Sequence, residues 1–209
     1  WLLTAADPAA VLPPTVAACA RLAAAGGEFA AEARWAVDLA RAYPGDLGVV
    51  TALLLNLVRL APGEAVYLPA GNLHAYLRGV AVEVMANSDN VLRGGLTGKH
   101  VDVPELLRVL DVSAGPVPVR RPEPAGAEEV FDTPAREFRL SRLRLGGGRP
   151  VLLDTAGPQV LLCVAGTARL VSGGQRLDLP RGGSAYLAAG EPVLQVSGDG
   201  VLFRATTGR

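Results

Sequence analysis

The apolar residues of this chain change their period at Pro62-Gly63, and the change limits what each part can become. Before it, Phe29, Ala33, Ala36, Val37 and Ala40 form one stripe at helical spacing. After it, short apolar runs alternate with Gly, Pro, Asn and Asp, the pattern of strands between turns. The sequence predicts a helix capped by Thr15 that runs through Leu22 and stops at Gly26-Gly27. A second helix is expected over 28–42, and a third, capped by Asp46, reaches Asn56. Strands are expected at 65–68, 73–77, 80–85, 138–145, 159–164, 168–171, 184–187, 193–196 and 201–205. One short helix over 105–110 interrupts them, with Pro104 in its first turn. The proline-rich stretch 113–134 reads as an extended linker. Many short strands with turn signals suggest a sandwich or jelly roll.

Composition narrows the function classes. Lys+Arg and Asp+Glu balance at 20 each, so charge gives no case for nucleic acid or an anionic membrane. The most apolar run, 47–60, is broken by Thr51, Asn56 and Arg59 and is too short to span a bilayer. Cys19 and Cys163 fit no metal spacing and read as buried thiols. A soluble, cytoplasmic protein is expected. The chain starts at Trp1 rather than Met, in helical sequence, so further residues are expected upstream.

A repeat lies within the β region. Leu60, Gly63, Tyr67, Leu68, Ala70 and Gly71 recur at constant offset as Leu179, Gly182, Tyr186, Leu187, Ala189 and Gly190. Each copy reads as a strand, an Ala-Gly turn and a returning strand. The return in the first copy carries His74; the second has Val193 there. Only the first can bind a metal at that place.

Chemistry-bearing residues follow the first copy. Period-2 alternation sets His74 and Tyr76 on one face of their strand, and Leu73, Ala75 and Leu77 on the other. In 80–85 the valines alternate with Glu83, which faces water on an ordinary sheet and a ligand cavity in a jelly roll. A loop carrying Asp89, Arg93 and Lys99 follows. Arginine offers a rigid fork to sugar or phosphate oxygens, and lysine a point charge suited to phosphate.

These residues carry a resemblance. His74-Ala75-Tyr76-Leu77, Gly79, Glu83, Met85-Ala86, Ser88-Asp89-Asn90, Arg93, Gly95, Thr97 and Lys99 resemble the C-terminal signature of the type I mannose-6-phosphate isomerases. Tyr43-Pro44-Gly45-Asp46 and Pro62-Gly63-Glu64 are similar to the same family. Gly94 stands where an Ala is usual, and Gly98 where a Pro is usual, which loosens the Lys99 loop.

The resemblance implies a mainly β protein with an α-helical N-terminal segment and two cupin-like jelly-roll units, the first incomplete. Residues 1–46 would be the end of a helical insert, 47–113 the second half of the catalytic cupin, and 114–209 a linker with a metal-free cupin. It implies an enzyme that interconverts mannose 6-phosphate and fructose 6-phosphate through an enediol, with one zinc ion per complete protein. His74 would be a zinc ligand facing a hollow in the barrel wall, and the other ligands would lie upstream of Trp1. Arg93 and Asp89 match catalytic positions; Tyr76, Glu83 and Lys99 would face substrate. The identity of the general base stays open. The family suggests a monomer whose only partner is the small hexose phosphate, with no nucleic acid and no membrane. The alternative is a non-catalytic sugar-binding or regulatory cupin. A cupin oxygenase would want several histidines in one segment, and the chain has 2 in all.

Overall fold

The computed structural model describes residues 7–88, 90–146 and 148–208. It divides into two compact units, one over 1–59, 68–78 and 89–117, the other over 60–67, 79–88 and 118–209.

The first unit is helical at its N-terminal end. Helix α1 (Pro8–Ala25) starts at Asp7, whose carboxylate accepts the Ala9 N–H at 3.0 Å, with Pro8 opening the first turn. Thr15 is therefore no cap. It sits inside the helix after Pro13 and Pro14, and its hydroxyl donates to the Val11 carbonyl at 2.7 Å. By length and composition α1 is the one described helix apolar enough to cross a membrane, which the sequence reading placed nowhere. Gly26 and Gly27 end it at φ 75° and 88°, as expected. Helix α2 (Ala30–Ala42) follows a left-handed Phe29, which is exposed and leaves the expected stripe. Ala33 and Ala36 of α2 pack with Leu12 and Cys19 of α1 and Val49 of the short helix α3 (Gly48–Ala52). Helix α3 stops before Asn56 because the chain tightens into turns, with i→i−3 bonds at Leu53, Leu54 and Leu55. Helix α4 (Val103–Val109) is capped by Asp102, which accepts the Glu105 N–H at 3.0 Å.

The second unit is an antiparallel β structure. A two-residue strand β1 (Ala65–Val66) pairs with β2 (Val119–Arg120). An eight-stranded sheet holds β3 (Glu123–Ala125), β4 (Glu128–Phe131), β5 (Arg139–Leu145), β6 (Val151–Leu153), β7 (Gln159–Ser172), β8 (Gln175–Pro180), β9 (Ser184–Leu187) and β10 (Leu194–Thr206). The path runs β3-β4-β5-β10-β7-β8, with β6 on β10 and β9 on β7. The stretch read as a linker thus contains β2 to β4. Four expected strands are really two long ones, because β7 and β10 pair almost throughout and absorb their irregularity in a bulge at Val201/Leu202. Gly166 sits there at φ 64°, where a side chain would run into the Asp199 carbonyl. Leu143, Leu161, Cys163, Leu194, Val196 and Leu202 form the core. Cys19 and Cys163 are both buried free thiols.

Among the core residues stands Arg204, 2% exposed. Its guanidinium donates to Gln159 Oε1 at 2.7 Å, to the Glu128 carboxylate at 3.0 and 3.2 Å, and to the Asp154 carbonyl at 2.7 Å. A buried charge is tolerable only when paired and hydrogen-bonded in this way.

Candidate functional site

The segments 73–77 and 80–85, read as strands, form no ladder among the described residues. Their alternation survives only in part. Leu73 and Leu77 are half-buried while His74 and Tyr76 are exposed, and Val82 and Val84 are half-buried while Glu83 and Met85 are exposed, but Ala75 and Val80, expected on the inner faces, are exposed and break the pattern. The pattern of side chains follows from the sequence; a ladder also needs a neighbouring chain segment with free backbone groups.

His74 is oriented by its own turn. Its Nδ1 lies 3.0 Å from the Asn72 carbonyl oxygen, which can only accept. The ring therefore carries its proton on Nδ1 and, when neutral, leaves the Nε2 lone pair for another partner, the usual preparation of a ligating histidine. Tyr76 meets the ring edge-on, with centroids 5.7 Å apart at 62°. The turn before it is pinned by Gly71, at φ 78°, whose carbonyl accepts the Asp111 N–H at 3.0 Å.

The Arg93 loop lies against this segment. A Cβ on Gly94 would stand 2.7 Å from Leu73 Cδ1, so the glycine leaves room for the leucine beside His74. The His74 segment and the Arg93 loop are thus neighbours. Leu96 is fixed by Asp46, whose Oδ2 accepts its N–H at 2.6 Å, while Oδ1 accepts the Gly48 N–H at 2.7 Å. Further along, the Lys99 N–H donates to Thr97 Oγ1 at 3.1 Å, and Gly98 has open space around it, in line with a looser loop.

Arg93 and Lys99 are exposed. So is His74, which therefore does not face an enclosed hollow in this chain. Two surface clefts, of about 480 and 360 Å³, lie in the second unit, and neither takes in His74, Tyr76, Arg93 or Lys99. Glu83 belongs to the second unit, and Asp89 lies outside the described residues. The sequence reading missed what Asp46 does beyond starting α3; the signal was the Gly94-Gly95 pair, which marks a close approach of backbone.

The fold matches that of phosphomannose isomerase and is of the cupin class, mainly antiparallel β with a helical N-terminal segment. In sequence and fold the chain matches the C-terminal part of the mannose-6-phosphate isomerases. It is 45% identical over 164 residues to the mannose-6-phosphate isomerase of Escherichia coli (strain K12), covering 78% of this chain and 42% of that protein. It is 38% identical over 183 residues to the Bos taurus enzyme of the same name, covering 81% and 43%. A crystal structure of a mutant phosphomannose isomerase from Salmonella typhimurium superposes with a TM-score of 0.87 at 37% identity, over 100% of this chain and 52% of that one. The chain spans about two-fifths of the length of these curated relatives and about half of the solved chain. No family model matches.

Zinc is implied by that family. Among the described residues no group of three or more His, Cys, Asp or Glu could hold a metal ion. His74, with its Nε2 available, suits one coordination position, but one ligand does not make a zinc site. The described residues thus do not fit the metal by themselves.

Proposed function

We propose that this chain works as the C-terminal part of a zinc-dependent aldose–ketose isomerase, which interconverts mannose 6-phosphate and fructose 6-phosphate via an enediol. The observation that carries this reading is the packing of Leu73 against Gly94, which sets His74 and Arg93 on adjoining segments. The names of the relatives support the same substrate. In this reading residues 1–46 end a helical insert, 47–113 complete the catalytic cupin, and 114–209 hold the second, metal-free cupin. His74 is one zinc ligand, and the remaining ligands belong to the part of the family's length that this chain does not span.

The chain's own side chains have these tasks. The Lys99 ammonium holds the phosphate as a point charge. The Arg93 guanidinium faces the sugar oxygens, where negative charge develops as the enediol forms, and stabilises it by preorganised donors. Asp89 orients Arg93 or carries a proton. Tyr76 faces substrate. The enzyme acts as a cytoplasmic monomer on a small hexose phosphate.

The test is isomerase activity of the intact enzyme with Arg93→Ala beside the wild type. Loss of a charge-stabilising donor is expected to lower kcat on the order of 10²- to 10³-fold. Equal activity in the two would sink the assignment of Arg93. Tight binding of mannose 6-phosphate without turnover by the wild type would make the protein a sugar-binding module instead.

A further inference from the structure

We infer that Asp46 is a positioning residue for the loop that carries Arg93 and Lys99; this rests on the isomerase reading above. Asp46 closes the turn before α3, where its role looks at first like that of an ordinary helix-start carboxylate. Only one of its oxygens does that work, by accepting the Gly48 N–H. The other reaches across the sequence to the Leu96 N–H. Leu96 is the midpoint of the loop, three residues after Arg93 and three before Lys99.

Four further features converge on that one bond. Gly48 and Gly95 are in backbone contact: a Cβ on Gly95 would stand 2.8 Å from Gly48 Cα and 2.9 Å from Asp46 Oδ1. Gly95 also has φ 115°, a conformation that other residues rarely adopt, and without a side chain it lets carboxylate and loop meet. Leu96 itself is left-handed at φ 54°, which a leucine keeps only where its surroundings over-determine it. Its side chain packs against the helical core around Val49. The loop is therefore tied to the helices at Leu96, while open space surrounds Gly98 beyond it. Asp46 thus fixes the loop at its midpoint, from which Arg93 is held.

The discriminating variant is Asp46→Asn, which keeps the shape of the side chain. Asparagine has one acceptor oxygen and turns an NH₂ toward the second backbone N–H, so it cannot serve both amides. Two measurements on the intact enzyme, below the unfolding range of every variant, decide the matter. In amide hydrogen exchange, Asp46→Asn is expected to speed exchange at Leu96 roughly tenfold or more, while the amides of α1 and α2 stay protected. Unchanged protection at Leu96 in Asp46→Ala, which removes both acceptor oxygens, would overturn the anchor. In kinetics, Asp46→Asn is expected to lower kcat/KM roughly 10- to 10²-fold, as a misplacement of about 1 Å does. If that loss runs through Arg93, it largely disappears when Asp46→Asn is added to Arg93→Ala. A loss that multiplies in full in the double variant would overturn the positioning role and leave only a structural one. A wild type without isomerase activity would defeat the isomerase reading instead, and the exchange measurement would still decide whether Asp46 anchors the loop.

Discussion

The two copies of the turn–strand–turn unit, at 60–71 and 179–190, have nearly the same local backbone and different surroundings. Gly63 and Gly182 stand at φ 90° and 84°, Gly71 and Gly190 at 78° and 79°. The Glu64 N–H donates to the Ala61 carbonyl at 3.0 Å, and the equivalent Gly183 N–H to Pro180 at 2.8 Å. Beyond that the copies part. In the second, Ser184–Leu187 pairs along its length with β7, and the return after Val193 enters the long strand β10. In the first, only Ala65–Val66 pairs, and the return through His74 makes no ladder. Local sequence sets turns and side-chain alternation; strand pairing depends on what lies alongside. The copy embedded in the sheet has a valine in place of the imidazole, and the copy with the imidazole has the sparser support.

This contrast breaks most sharply at the leucines that open the copies. Leu179 is buried at 4% exposure and Leu60 is 40% exposed. Leu179→Ala is expected to cost roughly 2–5 kcal/mol of unfolding free energy, and Leu60→Ala about 0.5 kcal/mol or less. Equal costs in denaturant titration would mean that both copies are equally embedded.

A smaller difference is expected at the paired glycines. Both left-handed positions resist a Cβ, at about 1–2 kcal/mol. At Gly182 nothing else stands in the way, whereas at Gly63 the Cβ would lie 2.6 Å from Arg142 Nη1. Arg142 is held by Glu129 at 2.7 Å. Gly63→Ala is therefore expected to destabilise more than Gly182→Ala; the reverse order of melting temperatures would refute the part played by Arg142.

The smallest effect concerns acid. Asp178, just before the second copy, lies between Arg176 and Arg169, whose hydrogen bonds hold its carboxyl down at about 2. In the first copy, the Ala61 N–H and then Arg121 hold the Glu64 carboxyl below its usual range. A carboxyl lowered by folding stabilises fully above its unfolded pKa, and the contribution is lost as pH falls through the folded value. For Asp178 that window runs from about 4 down to about 2. These ion pairs are exposed and worth little. Carboxyl NMR should give Asp178 a midpoint near 2 that rises in Arg176→Ala; an unmoved midpoint would deny Arg176 its part.

The sequence reveals β9 at its full span and α4 to within about two residues, since Pro104, Gly182 and Gly190 punctuate them locally. It blurs β7 and β10, because a bulge breaks the alternation without ending the strand. It cannot reveal β3, where a proline masks a short edge strand, or β4 beside it, where glutamates mask an inner one. Of the site, the shared face of His74 and Tyr76 is legible from alternation, and the ring-fixing bond to Asn72 is not. The bond from Asp46 to Leu96 joins residues far apart in sequence and could be suspected only from the glycine pair.

The buried guanidinium of Arg204 makes the strand alignment of the second unit discrete. Its three acceptors come from β4, from β7 and from the turn after β6, so they coincide at a single alignment of β10. Sliding β10 by one residue would turn a permanent cation outward and push Phe203 or Ala205 toward waiting carboxylates. Intermediate alignments are thus far less stable than the native one, which guards the long β7–β10 pair against slippage.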